Sequence, residues 1–181
     1  DKNNSGVIDI QGEGYYGYFD PLLQYRYNLS KGVFLEDHTL NQGDDLAWDG
    51  SFLNWLTMRR IDVARKSMIG GKVRHREGEL INGSKMWVLE GEVEFNQSDK
   101  LTFQEPHSAR YSPILNHAII SIEKGRIKVE AKDIAPQLAS VDGFNIKLAV
   151  RKEPKGLIQN NRARINFGLS VYNFDHKLNT D

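Results

Sequence analysis

The stretch from Ser51 to Gly71 constrains the fold more than any other part of the chain. Ser51 suits an N-cap, Leu53, Thr57, Ile61, Ala64 and Met68 recur at helical spacing, and Gly70–Gly71 supply a stop. The pattern predicts one long amphipathic helix whose apolar stripe has to share a buried layer with another element. Its second half carries Arg59, Arg60, Arg65 and Lys66, placed where the negative end of the helix dipole favours cations, with Asp62 and Lys66 spaced as an i,i+4 pair. These charges read as a solvated face.

On either side of that helix the texture differs. Residues 1–50 are rich in Gly, Asn, Asp and Tyr without sustained periodicity, so they read as a long ordered loop region with short extended pieces. From Lys85 onward come short alternating runs, Met86–Phe95, Ile119–Ser121, Arg126–Ala131, Phe144–Val150 and Arg164–Tyr172, separated by turns such as Glu123-Lys124-Gly125 and Val141-Asp142-Gly143. In Arg126–Ala131, Ile127, Val129 and Ala131 oppose Arg126, Lys128 and Glu130, the clearest half-buried strand. A short helix or turn fits between Pro154 and Arg162, and Arg164–Tyr172 puts Ile165, Phe167, Leu169 and Val171 on one face. The texture divides the chain into a loop region and long helix over 1–71, a β-rich part over 72–150, and a short helix or turn with a further strand over 151–181.

Composition narrows the function classes. A chain of 181 residues with 39% apolar and 27% charged residues can build a core. Lys plus Arg and Asp plus Glu both total 24, so no net field gathers nucleic acid or an anionic membrane. The longest apolar runs, Ile114–Ile122 and Phe144–Val150, fall well short of the roughly 20 residues that cross a bilayer. With no cysteine, thiol catalysis, disulfides and thiolate metal sites are excluded. The opening at Asp1 fits a longer precursor with its signal peptide upstream.

Three stretches carry a resemblance. They are Tyr15-Tyr16-Gly17-Tyr18-Phe19-Asp20-Pro21 with Tyr25 and Tyr27; Ser51 to Lys66 ending in Ile69-Gly70-Gly71-Lys72; and Pro154-Lys155-Gly156-Leu157-Ile158-Gln159 running into Arg164-Ile165-Asn166-Phe167-Gly168-Leu169. In that order they resemble the N-terminal region of PilY-type proteins, large secreted factors at the tip of type IV pili. The resemblance implies a non-enzymatic pilus tip adhesin or assembly component outside the cell, at the surface or on the pilus. It implies partners among minor pilins or other parts of the same large protein, and a host or surface ligand. It also implies an α/β or α+β fold, part of a von Willebrand factor A-like, Rossmann-like unit, with the helix after Ser51 on the sheet, Arg164–Tyr172 as its next core strand and residues 72–150 as a β-rich insertion between them, the chain being one domain or a fragment of a larger protein.

Asn3-Asn4-Ser5-Gly6 is similar to the start of that family's Asp-Asn-Ser-Gly-Ser-Met metal loop, with Asn3 for the leading Asp and Val7 for the second Ser. The same residues also fit a calcium loop of the EF-hand kind: Asp1, Asn3, Ser5 and Asp9 alternate, with Gly6 at the turn and Ile8 after it. Position twelve is then Gly12, and the carboxylate Glu13 arrives one residue late. Ca²⁺ at Asp1, Asn3, Ser5 and Asp9 and an ordinary polar turn both stand as readings.

Elsewhere, His38, His75, His107, His117 and His176 lack the i,i+4 spacing of a helical metal site. Glu36, Asp37, Asp44, Asp45 and Asp49 could flank a glycosidic bond, but acidic residues in such loops usually cap turns. Tyr15, Tyr16, Tyr18 and Tyr25, with Phe19 and Tyr27, could form a binding platform or a local core, the core being favoured by the interleaved glycines. An exposed row of rings on a β-sandwich would instead make a carbohydrate-binding module, the alternative reading, and facing carboxylates would make a hydrolase.

Overall fold

The computed structural model describes residues 14–92, 101–102, 111–116, 119–130, 133–166 and 168, and in it the predicted long helix is two helices, α1 (Gly50–Thr57) and α2 (Arg60–Ile69). The N-cap of α1 is Asp49 in place of the expected Ser51: its Oδ1 accepts the Phe52 N–H at 2.9 Å, while Ser51 Oγ accepts the Tyr15 N–H. At the other end Met58 and Arg59 are extended, and the Asp62 carboxylate restarts the helix by accepting the Arg59 N–H at 3.1 Å. The break also turns the apolar stripe. Leu53 and Thr57 are buried, but Ile61 and Met68 are 45% and 43% exposed and Ala64 is exposed too, so the expected continuous buried face stops at Thr57. Gly70 ends α2 as predicted, in the left-handed conformation at φ 82° that a Cβ disfavours.

In the region expected as ordered loop with short extended pieces, residues 24–28, 33–36 and 48–49 are paired strands of one sheet. β1 (Gln24–Asn28) and β2 (Val33–Glu36) form an antiparallel hairpin, and β3 (Trp48–Asp49) pairs with β1 on its far side. Tyr25 and Tyr27 point into the core while Arg26 between them is exposed, the period of two that a half-buried strand requires. A second hairpin, β4 (Glu79–Ile81) and β5 (Ser84–Glu90), turns at Asn82–Gly83.

The next strands are β6 (Leu101–Thr102), β7 (Ile114–Asn116), β8 (Ile119–Glu123), β9 (Arg126–Glu130), β10 (Asp133–Ile134), β11 (Phe144–Asn145) and β12 (Lys147–Val150). Lys124 and Gly125 make the turn between β8 and β9, as read from the sequence. The short helix α3 (Leu157–Asn161) lies in the Pro154–Arg162 interval where a helix or turn was expected.

Among the described residues these strands make a six-stranded sheet in the order β3-β1-β2-β12-β5-β4, a four-stranded sheet β11-β9-β8-β6, and the pair β10-β7. The result is a mixed α/β architecture. In the large sheet only β12 against β2 is parallel; the other neighbours are antiparallel, and of these β1–β2 and β4–β5 are hairpins. A run of parallel strands joined by helices, the Rossmann-like arrangement, is not found among the described residues. Residues 72–150 do not stand apart as an insertion, because β5 and β12 complete the sheet begun by β1 and β2. The single predicted run Phe144–Val150 divides at Ile146, with β11 in one sheet and β12 in the other.

The two sheets share one core. Trp48, fully buried, meets Phe34 at 5.5 Å and Phe144 at 4.9 Å between ring centroids, both edge-on, and Phe34 continues to Phe19 at 5.5 Å. Of the predicted strand Arg164–Tyr172, Arg164 closes a turn by donating its N–H to the Asn161 carbonyl, Ile165 and Asn166 are exposed, and residues 167 and 169–172 lie outside the described residues.

Candidate functional site

The three stretches singled out in the sequence converge on one side of α2. The tyrosine loop is tied to α1 by the buried Asn54, whose Oδ1 accepts the Phe19 N–H at 3.1 Å and whose Nδ2 donates to the carbonyls of Tyr15 (2.6 Å) and Phe19 (2.8 Å). The loop comes so close to the helix that a Cβ on Gly17 would sit 2.2 Å from Asn54 Oδ1 and 2.4 Å from Met58 Cγ. Glycine is needed there by space alone.

Below the loop, Tyr18 reaches a buried polar cluster. Its hydroxyl donates to Asp62 Oδ1 at 3.4 Å and accepts the Lys72 N–H at 3.0 Å. Arg65 Nη1 lies 3.9 Å from Asp62 and 2.7 Å from Glu92. Burial, more than any neighbouring charge, pushes the Asp62 carboxyl above the usual carboxylate range and the Tyr18 phenol from 10.0 up to about 12. A phenol whose folded value is raised keeps its proton while the unfolded chain loses its own. The stability this gives is fully present below pH 10.0 and is lost as pH rises toward about 12. We expect the wild type to lose stability across that window and Tyr18→Phe to lose less of it, measured by denaturant melts alongside ultraviolet titration of phenolate. An equal loss in both proteins would remove Tyr18 from the cause.

The third stretch docks on the end of α2. Gln159 Oε1 accepts the Gly156 N–H at 3.0 Å, and its Nε2 donates to the Ile69 carbonyl at 3.1 Å, satisfying a last-turn oxygen of α2. Contact is tight here as well, since a Cβ on Gly156 would lie 2.3 Å from the Met68–Ile69 backbone. Between loop, helix and docked segment runs a groove of about 560 Å³, bounded by Tyr16, Lys66, Val150, Lys152, Pro154 and Leu157. Lys66, read from the sequence as part of a solvated face, folds back so that its Nζ donates to the Gly17 carbonyl and lies 4.5 Å from the centre of the Tyr16 ring. Burial holds its ammonium below the ordinary lysine value. A smaller recess of about 330 Å³ on the opposite face of the large sheet is rimmed by Arg26, Glu36, Asp37 and Arg151, and there Arg26 is already paired with Asp37 at 2.8 Å.

The sequence-derived candidates are placed as follows. Asp1, Asn3, Ser5 and Asp9 lie outside the described residues. Of the tyrosines, Tyr15 and Tyr16 are 36% and 55% exposed, whereas Tyr18 and Tyr25 are 5% and 3% exposed. Burial removes Tyr18 and Tyr25 from any open platform, because their hydroxyls anchor the loop: Tyr25 accepts the Asp20 N–H at 2.7 Å. Three of the five candidate carboxylates, Asp37, Asp44 and Asp49, serve turns and caps. Asp37 accepts from Thr39 and Arg26, Asp44 accepts the Asn41 N–H, and Asp49 caps α1. Asn54, Lys66 and Gln159 are not among the sequence-derived site candidates, though an asparagine inside the apolar run Phe52-Leu53-Asn54-Trp55-Leu56 is a signal of a buried polar contact.

Residues 11–136 match the family described as PilY1 homolog, small alpha/beta domain. The chain belongs to that family. Over 80 residues it is 34% identical to the type IV pilus biogenesis factor PilY1 homolog of Xylella fastidiosa, an alignment covering 39% of this chain and 5% of the relative, so the chain spans a small part of that protein's length. No solved structure matches it. The PilY1-type match takes in the tyrosine loop, both long helices and strands β1 to β10, and it stops before β11 and before β12, the strand that joins the two hairpins of the large sheet.

Proposed function

We propose that this chain is a non-enzymatic part of a type IV pilus-associated tip adhesin or assembly factor, located outside the cell and acting by binding a protein or surface partner through the groove beside Lys66. The observation that carries the reading is the convergence of three separate sequence stretches on that one groove, in a chain of the PilY1 homolog family. Minor pilins, other parts of the same large protein and a host or surface ligand are the partner classes that fit. The test is to replace the parent gene of a piliated strain by one encoding Lys155→Glu with Leu157→Asp, both exposed side chains at the groove. Surface pili or surface attachment should fall at unchanged protein level; wild-type piliation and attachment would end the reading.

Calcium tuning belongs to the same proposal. Asp1, Asn3, Ser5 and Asp9 offer four oxygen-bearing side chains where Ca²⁺ takes six to eight oxygens, so with each carboxylate binding through one oxygen, backbone carbonyls or water supply the others. Calorimetry should show Ca²⁺ heat that disappears in Asp1→Asn with Asp9→Asn, and absence of heat at millimolar ion would remove calcium from the proposal. The von Willebrand factor A-like relation likewise remains part of this reading, resting on the family resemblance. The carbohydrate-binding reading has lost two of its four rings to burial.

A further inference from the structure

Lys66 is a half-buried cation held by neutral groups. Its contacts are a carbonyl and an aromatic face, and among the described residues no carboxylate lies within ion-pairing distance; Asp20 acts on it only from farther away. A charge withdrawn from water without an opposite partner is costly, and a carboxylate brought to it recovers part of that cost. The walls of the groove repeat the sign. Lys152 is exposed, and the acidic group among the lining residues, Glu153, is already engaged by Lys155 at 3.1 Å. The chain as a whole has formal net charge zero, so this excess is local.

The same groove is apolar at its base and rim. Val150 and Pro154 line it, Leu157 is 55% exposed, and Met68 and Ile69 at the adjoining helix end are 43% and 40% exposed. Adjacent apolar and cationic surface suits a chain molecule carrying both kinds of group. A nucleic acid would need free aromatic faces and a track of cations, but the Tyr16 ring is already covered by Lys66.

We propose that this groove binds an acidic polypeptide segment, one apolar side chain seated among Val150, Pro154 and Leu157 and a carboxylate on Lys66 and Lys152. The proposal rests on the binding role argued above and names the chemistry of the partner. Electrostatic attraction speeds the encounter, and the seated apolar side chain slows release.

The test uses the full chain and a short labelled peptide of glutamates and aspartates around a single leucine, followed by fluorescence anisotropy. The peptide should bind, its all-amide counterpart should bind about tenfold or more weakly, and added salt should weaken the acidic peptide. Lys66→Gln and Leu157→Asp should each weaken it several-fold with unchanged far-ultraviolet circular dichroism. Should Lys66→Gln fail to fold, Lys152→Gln, at an exposed position, carries the same comparison. Equal binding of acidic and amide peptides, indifference to these substitutions, or preference for phosphatidylglycerol vesicles or a single-stranded oligonucleotide would overturn the proposal. Loss of piliation in the groove variant without binding of the acidic peptide refutes the partner chemistry and leaves the pilus role standing. Peptide binding with normal piliation does the reverse.

Discussion

Trp48→Ala is expected to lower stability by about 3–5 kcal/mol, the usual cost of deleting a large aromatic side chain from a packed core. For a chain of this size that corresponds to a fall in melting temperature of roughly 6–20 °C. The size follows from position. Trp48 is fully buried and edge-packed on Phe34 of β2 and Phe144 of β11, one ring from each sheet, so its loss opens a cavity where the two sheets meet. Its indole N–H has no hydrogen-bond partner among the described residues. Trp48→Phe therefore forfeits volume without breaking a polar contact, and should cost well under half as much. Calorimetric melts of the two variants check both statements. A loss below about 1 kcal/mol for the alanine variant would show that the sheets do not depend on this contact.

Asn54→Leu is the second large effect, expected at about 2–4 kcal/mol, because it strands buried backbone groups. One side chain satisfies the Phe19 N–H, the Phe19 carbonyl and the Tyr15 carbonyl. Leucine offers none of these, and its extra bulk meets a loop already within contact of the helix at Gly17. Beyond a lower melting temperature, the distinguishing readout is local: the Phe19 amide should exchange with solvent markedly faster, and proteases should cut near Tyr15 and Tyr16. Unchanged exchange at Phe19 with a lowered melting temperature would mean that Asn54 acts through packing alone.

Local signals carried the parts of the fold that local chemistry decides. The stop at Gly70, the turn at Lys124–Gly125, the alternation in Arg126–Glu130 and the short helix after Gly156 each depend on a few neighbouring residues, and each could be read from them. The break at Met58 could not. Apolar residues at helical spacing run straight through it, and the residue that restarts the helix, Arg59, is not one that ordinarily signals a helix start. At the break Asp62 accepts the Arg59 N–H and is buried beneath Tyr18, and the Tyr18 contact comes from elsewhere in the chain.

The same holds for the groove. Lys66 looks like any other basic residue on a helix; its half-burial is created by Tyr16 and Gly17 folding over it and by Pro154–Leu157 arriving opposite. In the tyrosine cluster, sequence left platform and core both open, and the structure divides them by neighbour: hydroxyls with a backbone or carboxylate partner are inside, while Tyr15 and Tyr16 stay at the surface. The pairing of β12 with β2 had no local signature, since parallel neighbours are chosen by the sheet as a whole.

The placement of β12 has a temporal consequence for a chain made from its N-terminus. The hairpins β1–β2 and β4–β5 are complete by residue 90, yet the slot between them stays open until residues 147–150 emerge. Until then two rows of unpaired amides and carbonyls face solvent, an invitation to mispairing with another copy. Closing by insertion of a late central strand is a long-range step and a slow one. The large sheet thus spends its most vulnerable interval with five of its six strands made, waiting for four residues.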